Sequence, residues 1–215
     1  MPYLSTQNYL DYYSNSFAVQ PVTVNLPNSA DTYLSQAAAT TNFDTSVVLS
    51  IGDNAGGTAI RRAWIKSDFS AIPAGRRFVS AVLNLNPDND GSSNARTMSA
   101  HRCLRAVVSN QATWNVFSTG NNWGTAGASN SSTDYNGATA LGTMAVSASP
   151  TIDVFLQMTF TAAGVAEYQK LYDGTYTNNG IILFVDTQNA DRINYDSQDS
   201  ATANLRPFIT VTYVL

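Results

Sequence analysis

From Ala30 onward, apolar and polar positions recur in short runs of the kind that build strands. In Val79 to Leu85, Val79, Ala81, Leu83 and Leu85 fall on one face of an alternating segment. Thr151 to Met158 alternates in the same way through Ile152, Val154, Leu156 and Met158. Val47 to Ile51 and Ala63 to Lys66 are short apolar runs, and Met98 to Val108 is a longer candidate strand. Gly180 to Val185 is a continuous apolar run and predicts a central strand covered on both faces. Phe208 to Leu215 closes the chain with Ile209, Val211, Tyr213 and Leu215 in phase.

Turn chemistry separates these runs. Asp53 to Gly57, Pro73 to Gly75, Pro87 to Gly91 and Asn178 to Gly180 are rich in residues that accept positive φ or preset a turn. One helix is predicted over Ala162 to Tyr172, with Thr161 as N-cap, Val165, Tyr168 and Leu171 on its apolar face, and Asp173-Gly174 as its stop. Residues 109–147 have the weakest pattern: Gly, Asn, Ser and Thr dominate around Trp114, Trp123 and Tyr135. A long loop of this kind is commonly a recognition element or is wrapped against the domain. The pattern as a whole predicts an all-β jelly-roll sandwich over residues 28–215, with one short helix and an extended N-terminal arm over 1–27. The arm carries Tyr3, Tyr9, Tyr12, Tyr13 and Phe17 with almost no charge and no period. Such aromatics either anchor the arm on a partner surface or pack back on the domain itself.

Composition supports the β assignment. Charged residues are 12% of the 215 positions, Glu occurs only at Glu167, and Lys only at Lys66 and Lys170. Helix formers are therefore scarce, while Thr, Tyr, Val and Phe suit strands. The net charge of −4 argues against a sequence-independent nucleic-acid binder, which needs a cationic surface. No stretch approaches the roughly 20 apolar residues of a membrane span. The first residues lack the basic start and apolar core of a signal peptide, so secretion through that route is not expected.

Candidate chemistry is sparse. Cys103 is the sole cysteine and His101 the sole histidine, so no disulfide and no multi-ligand zinc site is expected. The two share a strand face by spacing, but no motif supplies an oxyanion site, and no pair of carboxylates is singled out for glycoside hydrolysis. Asp88-Asn89-Asp90-Gly91 opens like a calcium loop, yet Ser93 and Ser99 stand where the EF-hand pattern needs Gly and Glu. A hairpin turn is the simpler reading, with a looser calcium site as the alternative. Trp64 reads as core. Trp114, Trp123 and Tyr135 are the candidate contacts for a carbohydrate or a protein partner, set against packing of their own loop.

The segments ADTYL (Ala30 to Leu34), TTNFDTSVVLSIG (Thr40 to Gly52) and RRAWIKSDFSAIPAGRRFVSAVLNL (Arg61 to Leu85) stand in a definite order. HRCLRAV (His101 to Val107), ATWN (Ala112 to Asn115), NWGTAGA (Asn122 to Ala128), DGTYTNNGIILF (Asp173 to Phe184) and NLRPFITVTY (Asn204 to Tyr213) follow. This ordered set resembles the DNRLRE domain family, although the hexapeptide that names the family is absent. The resemblance implies a jelly roll similar to carbohydrate-binding modules, some linked to alginate-type polysaccharides, found in large secreted proteins and in phage structural proteins.

Two functional expectations follow, neither of them enzymatic. The first is a phage capsid decoration protein, anchored through its arm to the major capsid or another virion protein, multicopy on a shell assembled in the host cytoplasm, and able to bind glycans. The alternative is an extracellular module that recognises a polysaccharide.

Overall fold

The computed structural model describes residues 20–54, 57–90, 94–185 and 191–215, with Asp90 described only in its backbone. The strands are β1 (Val22–Ser35), β2 (Val48–Ile51), β3 (Arg61–Ser67), β4 (Arg77–Leu85), β5 (Pro87–Asp90), β6 (Arg96–Cys103), β7 (Val116–Ser118), β8 (Asn121–Asn122), β9 (Tyr135–Val146), β10 (Leu156–Thr159), β11 (Ile181–Val185), β12 (Ile193–Asp196) and β13 (Phe208–Val214). The helix α1 (Ala162–Tyr172) follows β10.

Eight strands form one antiparallel sheet in the order β10-β4-β13-β1-β3-β11-β6-β9. β1 is the corner. Its first half pairs with β13 and its second half with β3, with a register irregularity between Asn28 and Ala30. A bulge at that point bends the strand and lets one sheet serve as both layers of a sandwich. An isolated bridge from Gly142 to Phe160 brings the two outer strands together and nearly closes the barrel. A second sheet, β2-β12-β5, packs onto the same core through Leu49, Ile51, Ile193 and Tyr195. The fold is thus the expected all-β jelly-roll type.

Two cores explain the sequence pattern. Ala63 and Ile65 of β3 and Ile181 and Leu183 of β11 face the barrel interior, whereas Trp64 and Ile182 between them face outward into a second cluster with Leu34, Cys103, Trp114 and Trp123. β11 is therefore buried on both faces, which is why its sequence reads as an unbroken apolar run.

Several expectations are corrected. Residues 22–27 are not arm but the first half of β1, paired with β13 from Val22↔Tyr213 to Pro27↔Phe208. The alternation of Val22, Val24 and Leu26 is the signal for this strand. Tyr3, Tyr9, Tyr12, Tyr13 and Phe17 lie outside the described residues. Val79 is 52% exposed, because a bulge in the β4–β13 pairing leaves it unpaired and turns Phe78 inward. Ile152 and Val154 are also exposed, since Asp153 takes φ 59° and the strand starts only at Leu156. β6 ends at Cys103 rather than Val108, and Leu215 lies past the last strand, 74% exposed. The region 109–147 holds the 12-residue strand β9, whose glycines and small residues hid its period. Asp88 to Asp90 are strand residues rather than a turn: Asn89 and Asp90 pair with β12, and Asp88 falls in the register irregularity beside them.

The helix is as expected: Thr161 Oγ1 accepts from Gly164 N, and Val165, Tyr168 and Leu171 are buried. Gly164 is required there, because a Cβ would lie 1.9 Å from the Leu141 carbonyl oxygen of β9.

Candidate functional site

The segment 104–134 covers the outer face of β1, β3, β11 and β6. Trp114 and Trp123 are 7% and 5% exposed, part of the second apolar cluster. Trp123 Nε1 donates to Thr113 O at 2.9 Å. Gly127, at φ +76°, lies beneath the Trp114 ring, where a Cβ would come within 2.4 Å. The segment is pinned by Asp134, which accepts from the backbone of Gly124, Thr125 and Asn130 and from Arg105. Burial opposes its ionisation, but these donors outweigh it and hold the carboxyl below its ordinary range. Arg62 adds three bonds from Nη1, to Gly127 O, Ala128 O and Ser129 Oγ. As exposed stacking platforms, then, Trp114 and Trp123 are corrected: their rings are the filling beneath a fixed loop. Tyr135, half-buried, sits edge-on to His101 and Phe184.

His101 and Cys103 are not arranged as base and nucleophile. His101 stacks on Phe184 at 8°, and its Nδ1 bonds the Asn136 carbonyl at 2.8 Å. The Cys103 thiol is fully buried and donates to Arg105 O, and burial pushes it up to about 12, far from a reactive thiolate. Nearby, Glu167 accepts from Arg102, Lys170 and Asn136, while Arg102 lies 4.0 Å over Tyr176. Both cations of that cluster share the one carboxylate, Glu167.

One group differs. Arg61 is the first residue of β3 and points, in phase with Ala63 and Ile65, toward the end of the barrel. Arg192, just before β12, is close enough that its charge, after burial, lowers the Arg61 pKa. Tyr33 of β1 lies within electrostatic range of both arginines and stacks on Phe43 at 4.1 Å and 19°. Burial raises the Tyr33 hydroxyl pKa, and the arginines oppose the rise. Among the described residues, Arg61 Nη1 and Arg192 Nε are buried donors without a partner, and the Asp53 carboxylate lies within electrostatic range of Arg61. Arg62 Nε is also unpartnered, but that guanidinium is already held by three acceptors. The arrangement is two adjacent cations, each with an unused N–H, beside a half-buried aromatic pair. Chemically this suits a planar anion on a sugar-sized body.

Two open troughs elsewhere lack these features. One, beside α1, is lined by Arg77, Val79, Val165, Gln169 and Lys170, and its one aromatic, Phe78, is buried. The other, between the ends of β6 and β9, has no aromatic lining.

Comparison with known families decides the class. The family model for carbohydrate-binding module family 96 matches residues 22–213. The chain belongs to carbohydrate-binding module family 96. The matched span begins at the first residue of β1 and ends within β13, so this module of family 96 comprises the eight-stranded sheet, the β2-β12-β5 sheet, the β7-β8 pair and the helix. Membership agrees with the module-like jelly roll that the resemblance implied. It favours the polysaccharide-binding alternative over capsid decoration, to which it lends nothing. No curated protein matches the chain.

The Arg61–Arg192 pair was not singled out from the sequence. One local signal was available: in a chain with little charge, Arg61 stands in phase with the core positions Ala63 and Ile65 at a strand end.

Proposed function

We propose that this module binds an acidic polysaccharide without turning it over, holding a uronate carboxylate between Arg61 and Arg192 with a sugar ring against Tyr33 and Phe43. The observation that carries the reading is the pair of unpartnered buried donors, Arg61 Nη1 and Arg192 Nε, on two mutually repelling guanidiniums. A buried donor left unmade costs about 1–3 kcal/mol, and a carboxylate satisfies both donors and cancels the repulsion. A neutral sugar does only the first. Family membership supports the carbohydrate and the charge chemistry supports its acidity.

The test is isothermal titration calorimetry with a polyuronate and with the same polymer after reduction of its carboxylates to alcohols. Binding of the first and at least tenfold weaker binding of the second is the expected outcome. Equal affinities would remove the carboxylate from the recognition.

A further inference from the structure

The exposed apolar side chains are not scattered. Among the described residues seven large aliphatic side chains are exposed, and all but Val108 gather at the two ends of β4. Val79 lies at its start, beside Val22 and Leu215, because Val22 pairs with Tyr213, Tyr213 with Phe78 and Val214 with Arg77. Ile152 and Val154 lie at its far end, just before β10, whose Leu156 pairs with Leu85. Val47 is there too, since its carbonyl accepts from Ser197 N while Asp196 N donates to Asn86 O. The nine residues of β4 set the two ends roughly 26 Å apart.

The two ends differ in form and in charge. The first holds the trough of about 600 Å³ between β4 and α1, with Val79 on one wall and the exposed Ala162 and Ala166 on the other. Arg76 and Arg77 have no carboxylate partner among the described residues, Lys170 shares Glu167 with Arg102, and Asp173 is the acidic residue of the lining. The Gln169 amide already accepts from Phe78 N and donates to Arg76 O, so the trough takes side chains rather than an added strand. At the second end Ile152 and Val154, 40% and 53% exposed, flank Asp153, whose φ of 59° turns the chain. Asp88 and Asp153 are exposed there, Asp196 is within electrostatic range of Asp88, and none of the three has a Lys or Arg partner among the described residues.

We propose that the chain associates head-to-tail with a second copy of itself, Ile152 and Val154 of one copy seating in the trough beside Val79 of the next. Contiguous exposed apolar groups mark protein–protein contacts. The charges choose the partner: Asp88 and Asp153 accompany Ile152 and Val154 toward Arg76, Arg77 and Lys170 of the neighbour. Complementary charge at a rim fixes orientation and suppresses wrong pairings. Trough against trough would set arginines face to face, and the other end against itself would do the same with carboxylates, so a two-fold dimer through either end is disfavoured. The contact is therefore heterologous, and each added copy presents a free end of each kind until a ring closes. Its small area makes it weak and dependent on protein concentration.

Analytical ultracentrifugation of the full chain, over rising protein concentration at low and at high salt, tests this. At low salt the weight-average mass of the wild type should rise past that of a dimer, and high salt should reduce the rise. Val79→Asp spoils the trough, and Ile152→Asp with Val154→Asp spoils the other end, all at exposed positions, with melting temperatures to confirm folding. Each variant alone should stay monomeric. Mixed in equal amounts, they should form a one-to-one dimer and nothing larger, because each keeps the end that the other has lost. Arg77→Glu is the milder arm, at an exposed side chain, and should weaken association roughly fivefold or more at low salt. A wild type that is monomeric at every concentration, a folded Val79→Asp that associates as the wild type does, a mixture that stays monomeric, or undiminished association in Arg77→Glu overturns the proposal.

Discussion

Arg61 and Arg192 lie side by side at the end of the barrel, each with an unpartnered buried N–H, although they come from opposite ends of the sequence. β3 delivers the first and the lead into β12 the second. Gly52 makes the approach possible: a Cβ there would stand 2.6 Å from the Asp191 carbonyl oxygen.

Trp123 is a packing residue in this account. Trp123→Ala should lower stability by about 3–5 kcal/mol, the range for truncating a buried aromatic. Chemical denaturation measures it. A loss of binding with unchanged stability would return the ring to the surface.

Asp31 is 1% exposed and accepts from Gln198 N and Asn28 Nδ2. Burial pushes its carboxyl up to about 7, the two donors oppose this, and Asp199 and Asp44 add to it. The folded state thus holds a proton that the unfolded chain, with a value near 3.8, has released. Between these values the folded state binds more protons, so stability falls as pH rises from about 4 to about 7 and then levels off. Asp31→Asn should remove that slope, matching wild type near pH 4 and exceeding it above pH 7. Melting temperatures across the range decide this, and a wild type that gains on the variant with rising pH would contradict it.

How much of this was legible in the sequence depended on distance along the chain. β11 was readable because both of its faces are covered, and α1 because its N-cap and apolar stripe are local. The alternation over Thr151 to Met158 misled, because Asp153 at φ 59° breaks the strand that Ile152 and Val154 seemed to extend. The aromatics at Trp114 and Trp123 were visible, but their burial depends on Arg62 and Asp134, which fix the loop across the sheet. The meeting of Arg61 with Arg192 is tertiary and left only the phase of Arg61 as a clue.

Gly164→Ala tests the docking of α1. Helix propensity alone favours Ala by roughly 1 kcal/mol. The Cβ would sit 1.9 Å from Leu141 O, where backbone cannot yield cheaply. The expected net effect is destabilisation on the order of 1–3 kcal/mol by denaturant titration. A stabilised variant would show that the helix stands off β9.

The most direct test of the central claim is polyuronate titration of Arg61→Gln, Arg192→Gln and the double variant, each with its melting temperature. A hydrogen bond to a charged group is worth about 1.5–3 kcal/mol, so each single change should cost roughly tenfold or more in affinity. Because the two cations repel, the Asp53 carboxylate offsets this only in part at Arg61, and Arg61 Nη1 and Arg192 Nε have no partner among the described residues, neither change should lower the melting temperature. Undiminished polyuronate binding by a folded double variant would contradict the account.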